Sequence, residues 1–382
     1  KEHGGFYGRV DDDRTAHLDA PKGLVQHGRI LWTYAQAYRH YRDPAYLETA
    51  SRAYRYLLSN FWDADNRGMI WLVDAKGNPL DRHKIIYGQA FTIYGLSDYF
   101  LASGDRKSLD MATTLFRTLE QKAVDPVYGG YFDAFEKDWA FTDAINVDET
   151  TYPTVKSMNT HLHLLEAYTG LLRAWDTKQI RARLRALLMI MLERIIDRQR
   201  GQMKLHFSAG WQSLNDQEAS YGHDIEASWL LVEAAELLGD KELLAEVKQV
   251  AVHMAQVAYD KGLNSNGSLR DHDQGNERTW WVQAEAMVGF LNAYQLSRKQ
   301  HFLEAALGNW RYIQEALLDR RHGEWIWGLD DTGAPSPRYK AGLWKAPYHN
   351  GRACLEAICR IDKIRQLELT LPGQISAPDS LP

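Results

Sequence analysis

A single element recurs six times along the chain: an acidic or polar turn, a glycine, then a short aromatic or apolar run. It reads HGGFYGRV at 3–10, DADNRGMIWLV at 63–73, DPVYGGYFDAF at 125–135, DRQRGQMKLHF at 197–207, NSNGSLR at 264–270 and DRRHGEWIWGL at 319–329. The glycines Gly5, Gly68, Gly129, Gly201, Gly267 and Gly323 stand 63, 61, 72, 66 and 56 residues apart. A period of that length marks an array of supersecondary units, each too small to bury its apolar face alone. The copies at Gly201 and Gly267 are degenerate and carry weight only with the other four.

Between successive glycines lie two helical patterns. Residues 24–41 put Leu24, Ile30, Leu31, Tyr34, Ala35 and Tyr38 on a helical stripe, and Pro44 opens a second helix reaching about 58. The pairing repeats at 86–102 with 105–122, 157–175 with 177–197, 221–238 with 240–259, and 277–297 with 299–318. The junctions HYRDP, SGD, WDT, LGD and SRKQ are short enough to force antiparallel hairpins. A last helix, 349–366, has no partner after it. Eleven helices is an odd number for a structure made of pairs; one more ahead of Lys1 makes twelve and lets a ring close.

The expected fold is therefore all-α: an (α/α)6 barrel of six helical hairpins with short β-segments in the connecting loops. One domain spans 1–366, its first outer helix falling before residue 1, and 367–382 is a Pro-rich tail. An open solenoid is the alternative, but solenoids carry polar capping repeats and even spacing, and this chain has neither.

Composition narrows the function. Lys plus Arg is 45 against 50 for Asp plus Glu, a formal charge of -5, so the basic field that nucleic-acid binding needs is missing. No run of eighteen apolar residues is present to span a bilayer, and the first residues are not a signal peptide; the expected location is cytoplasmic. Cys354 and Cys359, five residues apart on one helix, are poorly placed to bond to each other and too few for a cysteine metal site. Thirteen Trp, 20 Tyr and 11 Phe suit a large core and a sugar-lined cleft equally well.

The first helix of each pair begins with chemistry: GLVQHGRILW (23–32), HKIIYGQAF (83–91), SMNTHLHLLEAY (157–168), YGHDIEASWLL (221–231), ERTWWVQAEAMVGF (277–290) and KAPYHNGRACLEA (345–357). In a closed barrel these starts converge on one end of the axis. Arg29, Tyr87, Asn159, His163, His223, Glu226, Trp281, Glu285 and His349 would make a poor apolar core, because buried charges need partners or a ligand. His223 and Glu226 share a face at i,i+3 with Trp229 at the next turn, and Trp281 and Glu285 share one at i,i+4. His161 and His163 lie on different faces, so at most one looks into the cavity. HLH and HDIE are not HExxH, no compact ligand set stands out, and no phosphate-binding glycine motif is present. Neither metal nor nucleotide cofactor is expected.

MNTHLHLLEAY, GHDIEASWLL, WWVQAEAMVGFLNAY and PYHNGRACLEA resemble signature segments of the N-acylglucosamine 2-epimerase superfamily, most closely its cellobiose 2-epimerase branch. The similarity runs from HGGFYGRV to about Arg360. It implies an (α/α)6 barrel, a helix ahead of the GGF segment, and a cofactor-independent epimerase. The reaction interconverts the reducing-end glucose and mannose of β-1,4-linked disaccharides through a cis-enediolate. It implies that His223 and His349 are the acid/base pair, with Arg29 on the developing oxyanion and Tyr87, Asn159 and His163 on the sugar. Glu226 and Glu285 would hold or tune the histidines, and Trp229, Trp281 and Trp344 would form walls and platforms. Two departures bear on which sugar is bound: Gly28 where relatives often carry Asn or Ser, and a short 271–278 loop.

The chemistry asks for two imidazoles. One takes the C2 proton of the open-chain aldehyde, the other returns a proton to the opposite face, and both must titrate near neutrality. Three readings compete with the disaccharide epimerase. A mannose 2-epimerase or aldose–ketose isomerase would use the same centre on a monosaccharide. A glycosidase would use Glu226 and Glu285 as its carboxylate pair, and a sugar-binding protein would do no chemistry. The expected partner is a small-molecule sugar, with no nucleic acid and no membrane; monomer is the default oligomeric state, and a homodimer stays open.

Overall fold

Helix boundaries in this chain are chemically marked. Asp43, Asp105 and Asp240 each accept a hydrogen bond from the backbone N–H two residues on, at 2.9, 3.0 and 3.1 Å, capping the helices that follow. The structure, a computed structural model, describes residues 3–145, 153–273 and 277–370. Among them are eleven α-helices. The inner set is α1 (Leu24–Tyr41), α3 (Ile86–Ser103), α5 (Met158–Ala174), α7 (Tyr221–Leu238), α9 (Trp280–Ser297) and α11 (His349–Thr370). The outer set is α2 (Pro44–Tyr56), α4 (Arg106–Lys122), α6 (Lys178–Ile190), α8 (Lys241–Val257) and α10 (Gln300–Tyr312).

The inner helices pack side by side in the order α1, α3, α5, α7, α9, α11, and α11 returns to α1. The ring closes, as the repeat predicts. Its seam is also tied by Val10, whose N–H donates to the Ala341 carbonyl at 2.8 Å, so the N-terminal run joins the last connection. Inner helices such as α9 are buried on nearly every side through their first four turns, whereas α4 buries one stripe and leaves the other in water. No helix among the described residues is long and apolar enough to cross a membrane.

The recurring element has one backbone shape. All six marker glycines are left-handed, with φ between 61° and 88°, a region where any other residue would be strained. The run after the glycine then pairs with the residues entering the preceding inner helix: Leu72–Val73 with Lys22–Gly23, Ala134–Phe135 with Lys84–Ile85, His206–Phe207 with Lys156–Ser157, and Gly328–Leu329 with Arg278–Thr279. These two-residue ladders are the expected short β-segments. They fasten neighbouring hairpins together at the end where the inner helices begin.

A second regularity holds the ladders. The fourth residue of an inner helix reaches back to the marker run: Gln89 to Met69 N–H and C=O (2.8 and 2.7 Å), and Gln283 to Leu269 N–H and C=O (2.8 and 2.7 Å). His161 accepts from Tyr131 N–H at 3.0 Å and Asp224 from Met203 N–H at 2.8 Å. Burial pushes the Asp224 carboxyl up to about 8. Gln283→Leu removes both clamps on Leu269 and strands a buried amide. The expected loss is about 2–4 kcal/mol in urea unfolding; a loss under about 0.5 kcal/mol would mean water replaces the clamp.

Two boundaries differ from the sequence reading. Four outer helices end in a π turn, at Leu57–Phe61, Met191–Ile195, Ala258–Gly262 and Ile313–Leu317, which carries their last residues into the following ladder. The last helix continues to Thr370, four residues past the expected 366, so the start of the supposed tail is helical; residues 371–382 lie outside the described set.

Candidate active site

The six inner-helix starts open onto one cleft of about 360 Å³. Nine of the eleven expected side chains line it: Arg29, Tyr87, Asn159, His163, His223, Glu226, Trp281, Trp344 and His349. Glu285 and Trp229 do not. Glu285 lies fully buried beneath His349, and Trp229 lies deeper still, its Nε1 donating to Glu285 Oε2 at 3.1 Å. Trp229 is therefore a support, not a sugar platform. It is the ninth residue of α7, two turns below the helix start, and a face assignment says nothing of depth.

Each cleft histidine is tied through Nδ1. His349 Nδ1 meets Glu285 Oε1 at 2.7 Å, and His163 Nδ1 meets Glu166 Oε2 at 2.9 Å. His223 Nδ1 meets Ser220 Oγ at 2.7 Å. Burial, with the Arg29 and Arg352 charges nearby, pushes the His349 pKa well below the ordinary imidazole value. The rings of His223 and His349 both pack on Trp281, with centroids 4.7 and 5.8 Å from it. His161 points away from the cleft: its Nδ1 bonds to the Ser157 carbonyl at 2.7 Å and its Nε2 clamps Tyr131, so of the HLH pair only His163 looks in.

Arg29 is held from two sides. Its Nη1 donates to the Trp344 carbonyl at 2.5 Å and its Nη2 to the Tyr87 hydroxyl at 2.8 Å, while its guanidinium lies over the Phe91 and Tyr348 rings. A positive charge is thus fixed at the cleft before any ligand arrives.

Under the floor stands a residue that sequence reasoning passed over. Arg352 is the fourth residue of α11, the position that clamps the ladder in other repeats, and here it turns to the barrel axis. Its Nη2 donates to Glu226 Oε1 at 2.5 Å and to Glu285 Oε1 at 2.7 Å, and its Nη1 pairs with Glu166. One buried cation therefore joins carboxylates from α5, α7 and α9. Burial raises Glu166, but Arg352 and His163 outweigh it and hold the carboxyl down to about 2. Glu226 is pushed the other way, by burial and then by the Glu285 charge.

Glu226, Glu285 and His349 also bring potential metal-ligand atoms within 4.8 Å of one another, the one such group among the described residues. The donor set does not suit a metal. Arg352 Nη2 already takes one oxygen from each glutamate, and His349 Nδ1 takes the same Glu285 oxygen.

Trp280, Trp327 and Arg338 line the cleft as well and were not anticipated. A signal for Trp327 existed. It follows Gly323 by four residues, in the run whose carbonyl accepts the first N–H of the preceding inner helix, here Trp280 N–H at 2.8 Å.

Known proteins resemble this chain along nearly its whole length. The family model described as N-acylglucosamine 2-epimerase (GlcNAc 2-epimerase) matches residues 5–353. A cellobiose 2-epimerase from Dictyoglomus turgidum is 39% identical over 365 residues, covering 94% of this chain and 93% of that protein. The solved cellobiose 2-epimerase of Bacillus thermoamylovorans superposes with a TM-score of 0.90 at 38% identity, covering 94% of this chain and 93% of that one. That of Spirochaeta thermophila gives 0.85 at 42%, covering 95% and 91%. With the family model spanning nearly all of the barrel and relatives near 40% identity along the same stretch, this chain belongs to the N-acylglucosamine 2-epimerase family.

Proposed function

We propose that the chain interconverts the glucose and mannose configurations at C2 of the reducing-end residue of a β-1,4-linked disaccharide. The observation that carries this reading is the pair of imidazoles, His223 from α7 and His349 from α11, both packed against the Trp281 ring with Nδ1 of each tied back into the protein. Nε2 of each is the atom assigned to exchange protons with the sugar. Relatives from 37 to 40% identical along 94% of the chain, each a cellobiose 2-epimerase, support the disaccharide as substrate.

The steps follow from the chemistry of an aldose. The ring opens, a task assigned to His349, and the aldehyde acidifies the C2 proton. One imidazole removes it, and the electron pair moves onto the aldehyde oxygen to give the cis-enediolate. Arg29 stabilises the charge on that oxygen. The other imidazole, protonated, returns a proton to C2 from the opposite face. Proton count and charge balance over the cycle, and no electron carrier is called for. Tyr87, Asn159 and His163 contact the reacting sugar, and Trp344 with Trp327 and Arg338 faces the second one.

A glycosidase reading needs two carboxylates facing each other across a bond. Glu226 and Glu285 instead converge on the same Arg352 nitrogen, which disfavours it. The deciding experiment measures rates on cellobiose, lactose, mannobiose, mannose and glucose with products separated so that ketoses are visible. The expected result is the highest kcat/KM on a disaccharide and its C2 epimer as main product. A higher kcat/KM on free mannose, or fructose as the main product, would replace this reading with the monosaccharide one.

A further inference from the structure

We propose that Asp271, which does not line the cleft, fixes the working tautomer of His223 through Ser220. The inference rests on the role of His223 in the reaction proposed above.

The chain of bonds is short and each link has one direction. Asp271 is half-buried, and although burial works against the charge, the neighbouring His272, whose Nε2 lies 3.2 Å from Oδ2, holds its carboxyl below the ordinary value and so ionised. Its Oδ1 accepts from Ser220 Oγ at 2.6 Å and from Gly222 N–H at 3.1 Å. An ionised carboxylate has no proton to give, so the one hydroxyl proton of Ser220 goes to Asp271. Ser220 Oγ is then left as an acceptor, and the His223 Nδ1 atom 2.7 Å away must carry the proton that fills it. The lone pair is thereby placed on Nε2. In the other tautomer Nε2 carries a proton and cannot act as a base.

The backbone pins the relay in place. Asp271 follows Gly267 by four residues, the register that Trp327 occupies after Gly323, and its carbonyl accepts Tyr221 N–H at 2.7 Å at the start of α7. Ser220 caps the same helix, with His223 N–H on its Oγ at 3.2 Å. The Nδ1 atoms of His163 and His349 meet carboxylates, whereas Nδ1 of His223 meets a hydroxyl that is itself bonded to one. Asp271 is therefore a positioning residue.

The test compares S220A, S220T, D271A and D271N on cellobiose, with melting temperatures alongside. S220A and D271A should lower kcat by about 10–100-fold while KM moves less than about threefold, as for loss of a group that orients a reacting imidazole. S220T keeps the hydroxyl and D271N keeps a carbonyl acceptor, so both should stay within about threefold of the parent. In ¹⁵N-histidine spectra, with the His223 signals assigned by their loss in H223Q, S220A should shift them from the Nδ1–H toward the Nε2–H pattern. Unchanged His223 signals with kcat within twofold in S220A would overturn the proposal, as would D271N damaged as badly as D271A. If D271A does not fold, the Ser220 pair decides alone. H223A separates this from the reaction itself: normal C2 exchange in H223A sinks the proposed function, whereas an inactive H223A beside a fully active S220A sinks only the relay.

Discussion

H223A and H349A each lose epimerisation of cellobiose by about 10²–10⁴-fold, the usual contribution of a positioned acid or base, while melting within a few degrees of the parent. Neither change strips the fold of a needed partner. Without His349, Glu285 still has Arg352 and Trp229 as donors. Without His223, Ser220 keeps its bond to Asp271 and its place as the α7 cap. The assay is the rate of C2 epimer formation together with deuterium incorporation at C2 in heavy water. Near-parental turnover in both variants would remove the two histidines from the chemistry.

R352L should act in the opposite manner, through the fold. Removing the cation leaves Glu166, Glu226 and Glu285 facing one another in a buried space, and breaking such a network by deleting one partner costs about 3–5 kcal/mol. R352K should recover only part of this, because a single ammonium lacks the planar fork that spans three carboxylates. The loss also has a pH sign. In the parent, the Glu166 carboxyl is held to about 2, so its stabilising effect is present above the unfolded-state value and disappears as pH falls toward 2. In R352L the uncompensated glutamates take up protons, their folded values rise, and the variant loses stability as pH climbs through them. The gap between parent and variant should therefore be wider at pH 8 than at pH 5 in urea unfolding. A gap under about 1 kcal/mol at both values would mean that water or side-chain rearrangement replaces Arg352.

The repeat made most of this architecture readable in advance. Marker glycines, which here adopt positive φ, stripes at helical spacing and short junctions are local constraints written in residue type, and the ring follows from counting them. Cleft residues were legible because polar side chains recur at six equivalent helix starts, which a closed ring brings to one end of its axis. What escaped depends on register between repeats. Arg352 looks like an ordinary helix arginine until it is placed at position four of its helix, where Gln89, His161, Asp224 and Gln283 clamp ladders. Asp271 meets Ser220 only because a two-hairpin seam brings them together. Trp229 was assigned the right face at the wrong depth, and the π turns have no compositional mark.

The cleft separates into a floor and a rim of different origin. The floor comes from the six inner helices, and Arg352 locks four of them together through Glu166, Glu226 and Glu285. The rim residues Trp327, Arg338 and Trp344 all lie in the single connection between the π turn Ile313–Leu317 and α11. Arg29 holds that connection by the carbonyl of Trp344, an atom every residue possesses. Exchange of 318–347 for a relative's segment, with Tyr348 left to bond Glu166 and Arg352, should accordingly alter the length of sugar accepted while the proton-transfer residues on the inner helices are kept.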